Sequence, residues 1–143
     1  AISTYLPRRL LERQLRARGA GPWLEWVEGA LLFADVSGST ALAERLTALG
    51  HEGSELVTEA LDSYFGPAIE RIQAAGGDLL TFGGDALLVL FEGPEGARAA
   101  TATALALLRE SAGFERAVPG VGSFPLQMRI GVAAGPVALV SAG

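Results

Sequence analysis

The apolar positions follow two periods. In "YLPRRLLERQLRAR", Leu6, Leu10, Leu11 and Leu15 recur at helical spacing and Pro7 suits a first turn. Residues 5–18 therefore read as a short amphipathic helix, broken by "GAGP". "ALLFADV", residues 30–36, is a short apolar run with one acid near its end, and it reads as a buried strand. "SGST" follows, where Ser37, Ser39 or Thr40 can cap the helix "ALAERLTALG", closed by Gly50. A second helix spans roughly 52–74 on a stripe of Leu56, Leu61, Phe65, Ile69 and Ile72. Pro67 inside it predicts a kink or an interruption.

The next stretch, "GGDLLTFGGDALLVLF", carries two Gly-Gly-Asp triplets seven residues apart. Apolar segments flank Gly83-Gly84, which signals a tight hairpin because both glycines accept positive φ. Asp78 in the first triplet reads as a strand-start residue. An Ala- and Leu-rich helix covers about 94–112 with Pro94 in its first turn, and a Gly- and Pro-rich loop covers 113–125. "LQMRIGVAA" is a last strand, ended by "GP". Apart from the split first helix, the order is the β-α-β-β-α-β pattern of ferredoxin-like folds. The expected fold class is α+β: a ferredoxin-like β-α-α-β-β-α-β antiparallel sheet with helices on one face. Residues 1–29 form a helical lead-in, pinned to the body by Trp23 and Trp26, and residues 30–143 form the main domain.

Length and composition narrow the class. A chain of 143 residues suggests one domain, large enough to bury a core without staples. No apolar run reaches the length of a membrane span. The absence of cysteine excludes disulfides and zinc-thiolate sites and fits a cytoplasmic setting. The polar start, interrupted by Pro7, does not read as a secretory signal. A first residue other than Met and an end at "LVSAG" lead us to expect a piece of a longer polypeptide. The net charge of −5 argues against a nucleic-acid binder, which needs a basic face. Arg8, Arg9, Arg13, Arg16 and Arg18 cluster in the first segment, as a solvated helix face, a contact to a neighbouring domain, or a lipid or phosphate contact.

Topology then selects the chemistry. In a ferredoxin-like sheet the first strand is central and lies beside the third. Asp35 at the end of one and Asp85 at the start of the other would share one end of the sheet. Two close carboxylates repel, and an apolar setting raises the cost of their charge. A divalent cation resolves both, and all-oxygen ligands favour Mg²⁺, Mn²⁺ or Ca²⁺ over zinc. The "VSGST" loop supplies successive main-chain N–H groups leading into a helix N-terminus, with Gly38 letting a phosphate approach. Arg129, the one basic residue of the last strand, suits phosphate oxygens. Each residue alone has a plainer reading: Asp35 as a helix cap, Asp85 as a turn aspartate, Gly83-Gly84 as turn chemistry, Arg129 as a surface or ion-pair arginine. The only histidine, His51, reads as a loop or capping residue. No lysine is present to serve a P-loop, and nothing supports a Cys-His dyad or a Ser-His triad.

At these residues the chain resembles a known family. "LLFADVSGSTALAERL", "GGDLLTFGGDALLVLF" and "MRIGVAAGPV" are similar, in order, to three blocks of the class III adenylate/guanylate cyclase catalytic domain. The lead-in with Tyr5, Pro7 and Arg8 resembles the bacterial and soluble, bicarbonate-responsive branch. The resemblance implies a cyclase domain over residues 30–143, incomplete at its C-terminal end, that converts ATP (or GTP) to a cyclic nucleotide and pyrophosphate. The site would lie at a head-to-tail interface with a second cyclase domain, in a homodimer or in the same polypeptide. Asp35, Asp85 and the carbonyl of Val36 match ligands of two Mg²⁺ or Mn²⁺ ions. Gly38, Ser39 and Thr40 match the main chain that holds the triphosphate, and Arg129 matches an arginine on the terminal phosphates. Thr81 stands where the family often has a lysine that recognises adenine or the effector anion, which opens base choice and bicarbonate response. The family's asparagine and transition-state arginine lie beyond the third block. The other readings are a nucleotide- or anion-binding regulatory module without turnover and a purely structural ferredoxin-like domain. Diguanylate cyclases, which share the Gly-Gly-Asp turn, fit poorly because Ala86 rather than an acid follows Asp85.

Overall fold

The computed structural model describes residues 23–48, 50–118 and 120–141. The predicted lead-in helix over 5–18 lies outside these residues. The elements, in order, are β1 (Trp23–Ser37), α1 (Ser39–Thr47), α2 (His51–Ala74), β2 (Asp78–Phe82), β3 (Ala86–Glu92), α3 (Gly96–Glu110), β4 (Glu115–Val118), β5 (Gly122–Pro125) and β6 (Gln127–Ser141). Four strands form one antiparallel sheet in the order β2-β3-β1-β6, and β4 and β5 pair separately. The α+β antiparallel architecture matches the sequence expectation, with β1 central beside β3.

Alternation along β1 decides which side of the sheet the helices cover. Ala30, Leu32, Ala34 and Val36 are fully buried and belong to the core, whereas Phe33 between them is 50% exposed. The strand read as buried is thus buried on one face only, as antiparallel sheets permit. The core continues into Leu42 and Leu46 of α1, Phe65, Ile69 and Ile72 of α2, Leu87, Val89 and Phe91 of β3, and Ala100 and Leu107 of α3. Phe65 meets Phe82 edge-on at 5.2 Å between ring centroids, fixing α2 against the end of β2. Ion pairs from Arg71 to Glu110 and from Arg116 to Glu59 tie α2 to α3 and β4 at the surface.

Several expectations need correction. Of the kink or interruption expected at Pro67, the interruption does not occur: α2 is one helix through the proline. Gly66 precedes it and lacks the Cβ with which a proline ring would clash, and buried Tyr64, Phe65, Ala68 and Ile69 pack on both sides of the proline. β6 does not stop at Gly135-Pro136: Pro136 pairs with Glu28 and the ladder continues to Ser141. β6 is an edge strand, where a missing N–H can face away from the ladder. The loop at 113–125 contains the β4–β5 hairpin, and Val118 and the following Leu126 are buried. Trp23 and Trp26 lie within β1 itself, and Trp26, opposite Ala138, is 65% exposed; the lead-in they were expected to pin lies outside the described residues. His51 opens α2 and is exposed beside Glu55.

Candidate active site

The end of β1 collects the residues singled out by sequence. Asp35 pairs with Ala86 of β3 on one side and with Arg129 of β6 on the other. Directly opposed residues share a face, so Ala86, Asp35 and Arg129 form a row across three strands on the face away from the helices. The next row inward is Thr81, Leu88, Phe33 and Gly131. A register shift between Leu79 and Thr81 sets this alignment. Buried Leu79 stays on the helix side, and exposed Thr81 turns to the open face. Asp35 is half-buried, Arg129 is exposed, and no ion pair joins them among the described residues.

Asp85 sits in the turn just before β3. Its N–H donates to the Gly83 carbonyl at 3.0 Å, closing a tight turn over Gly84, whose φ of +79° favours glycine. Only Gly84 of the two glycines uses positive φ, which corrects the expectation for the pair. The turn is fastened to β1: the Val36 N–H donates to the Asp85 carbonyl at 3.0 Å. The half-buried Asp85 carboxylate accepts from the Ser39 hydroxyl at 3.1 Å, and that hydroxyl also lies 2.9 Å from the Val36 carbonyl oxygen.

The entry to α1 differs from the predicted cap. Gly38 occupies the N-cap position with φ +97°, and no side chain caps the helix. Ser37 donates instead to the Gln127 carbonyl, and Ser39 turns toward Val36 and Asp85. The first helical hydrogen bond runs from the Leu42 N–H to the Gly38 carbonyl, so the N–H groups of the first turn have no intrahelical acceptor. Gly38 has a packing reason as well: a Cβ there would lie 2.4 Å from the Pro125 carbonyl oxygen.

Two carboxylates and one main-chain carbonyl, from two adjacent chain segments, are the oxygens at this end of the sheet that could hold a cation. Among the described residues no group of three or more His, Cys, Asp or Glu side chains could hold a metal. An all-oxygen set with two carboxylates fits Mg²⁺ or Mn²⁺, which leave their other positions to water and substrate phosphate. Sequence reading missed the Ser39 side chain and the exposed aromatic Phe33. The first is a contact between segments 46 residues apart. The second follows from which face the helices leave open.

No family model matches the chain. Curated relatives do: adenylate cyclase type 10 of Oryctolagus cuniculus is 37% identical over 73 residues, 50% of this chain and 4% of that protein. The Homo sapiens protein of the same name is 36% identical over 72 residues, 49% of this chain and 4% of its own length. The chain therefore spans a small part of these relatives. Among solved structures, the guanylyl cyclase Cya2 is 30% identical with a TM-score of 0.63, over 83% of this chain and 58% of that one. The adenylyl cyclase CyaB from P. aeruginosa shares the fold at 23% identity and TM-score 0.62, covering 81% and 60% of the two chains. A bacterial light-regulated adenylyl cyclase does so at 24% and 0.69, covering 96% and 39%.

Proposed function

We propose that this chain, which resembles class III nucleotidyl cyclase domains in sequence and in fold, carries the metal-binding half of a cyclase site that converts ATP to cyclic AMP and pyrophosphate. The observation that supports this reading is the fastening of the Asp85 turn to the end of β1, where the Asp85 main chain bonds Val36 and its neighbour Ala86 pairs with Asp35. A second cyclase domain, in another copy or in the same polypeptide, completes the site.

In this reading Asp35, Asp85 and the Val36 carbonyl hold two Mg²⁺ or Mn²⁺ ions. Such ions neutralise developing charge and lower the pKa of a bound hydroxyl. The reaction joins the ribose 3′-oxygen to the α-phosphorus, breaks the bond from that phosphorus to the bridging oxygen, and transfers the hydroxyl proton to solvent. The chain's own contribution is positional. Main-chain N–H groups over Gly38, Ser39 and Thr40 donate to phosphate oxygens, where the uncapped helix end favours negative charge. Arg129, exposed on the open face, donates to the terminal phosphates. Thr81, on the same face, offers a hydroxyl to the base.

Thr81 also favours a second reading, nucleotide binding without turnover, because a hydroxyl replaces the charged amine frequent at this position in the family. Incubating the intact protein with Mn²⁺ and either ATP or GTP, and separating products by chromatography, tests both. Cyclic AMP supports the proposal, and cyclic GMP alone, formed from GTP, changes the substrate. Binding of a non-hydrolysable ATP analogue without cyclic product supports the second reading. Among the described residues no helix is long and apolar enough to cross a membrane.

A further inference from the structure

Ser39 is a buried polar side chain, 6% exposed. It occupies the first position of α1, yet its hydroxyl caps nothing there. The hydroxyl lies between the Val36 carbonyl oxygen at 2.9 Å and Asp85 Oδ2 at 3.1 Å. A serine hydroxyl has one proton, so these two acceptors share it. The Val36 N–H meanwhile donates to the Asp85 carbonyl at 3.0 Å. The result is a closed ring: Val36 is tied to Asp85 once through the main chain and once through Ser39.

We propose that Ser39 is a positioning residue for the cation site. Its hydroxyl holds the Asp85 carboxylate against the Val36 carbonyl, so two oxygens from different segments are set relative to each other before a cation arrives. This inference rests on the cyclase reading and adds to it a role for the Ser39 side chain, distinct from the main-chain N–H at the same residue. The Asp85 turn is closed over a glycine, and the carboxylate of its aspartate is free to rotate unless a side chain holds it. Each acceptor oxygen keeps a second lone pair for a cation while it takes the serine proton. A partner that orients a metal ligand in this way is commonly worth about 10- to 100-fold in metal affinity or activity.

The test is Mn²⁺ titration of the intact protein in the presence of a non-hydrolysable ATP analogue, followed by electron paramagnetic resonance. Wild type is compared with Ser39→Ala, Ser39→Thr, Ser39→Cys, Asp35→Ala and Asp85→Ala. Ser39→Ala is expected to weaken Mn²⁺ binding by about 10- to 100-fold. Ser39→Thr, which keeps the hydroxyl, should restore most of it, and Ser39→Cys, a weak donor of similar size, should fall between. Thermal unfolding without Mn²⁺ separates a merely structural serine: a lowered midpoint with unchanged Mn²⁺ affinity overturns the positioning role. Binding that needs both aspartates but ignores Ser39→Ala overturns the role of Ser39 alone. Absent wild-type binding, or binding indifferent to Asp35→Ala and Asp85→Ala, overturns the cyclase reading together with it.

Discussion

Asp35 and Arg129 are direct partners across the β1–β6 ladder, and no ion pair joins them among the described residues. An opposed charge pair at such a position is worth only about 0.2–1 kcal/mol. Arg129 is exposed, so its guanidinium is available to an anion on the open face. Arg129→Ala should therefore shift unfolding free energy by less than about 0.5 kcal/mol. On the proposed function it should raise the KM for nucleotide by about tenfold or more, the scale of one hydrogen bond to a charged group. Denaturant melts and steady-state kinetics on the same variant check both halves. A large stability loss with unchanged KM would make Arg129 structural.

Gly38 carries a structural duty beside its proposed phosphate contact. Its φ of +97° disfavours other residues, and a Cβ would press on the Pro125 carbonyl oxygen. Gly38→Ala should destabilise the protein by at least about 2 kcal/mol, from the left-handed conformation and the overpacking together. Thermal or urea unfolding measures this without any ligand. A neutral substitution would show that the β5 end yields freely and that α1 is not pinned there.

Tyr64 gives the fold an alkaline limit. Burial pushes its phenol above the ordinary value of 10.0; the Ser111 hydroxyl and the Met128 main chain offset part of this, though neither completes a hydrogen bond of ordinary geometry. A folded-state pKa above the unfolded one means the folded state keeps its proton longer. The corresponding stability is fully present below pH 10 and is lost as pH rises through the folded value. Wild type should thus lose stability more steeply than Tyr64→Phe above pH 10, and the two should differ by only about 1 kcal/mol near neutrality. Parallel curves above pH 10 would mean that this tyrosine ionises freely in the folded protein.

Much of this was legible because periodicity and topology act together. The strand-end position of Asp35 and the turn position of Asp85 followed from apolar runs and one glycine-rich break, and a central first strand brought them side by side. What escaped depends on contacts that no local pattern carries. The two Gly-Gly-Asp triplets look alike, yet Gly84 turns a hairpin while a Cβ on Gly77 would strike Ile72, Val89 and Phe91. Pro136 reads as a strand end until β6 is known to be an edge. Ser39 reads as a cap until its hydroxyl is seen to face Asp85. The short β4–β5 hairpin has too few residues to display alternation among its glycines and prolines.

The most direct measurement is cyclic nucleotide formation by the intact protein with Mn²⁺, comparing wild type with Asp35→Ala and Asp85→Ala. Each substitution is expected to abolish turnover while thermal unfolding shows that the variant remains folded. Turnover that survives both substitutions would contradict a cation held by these two acids.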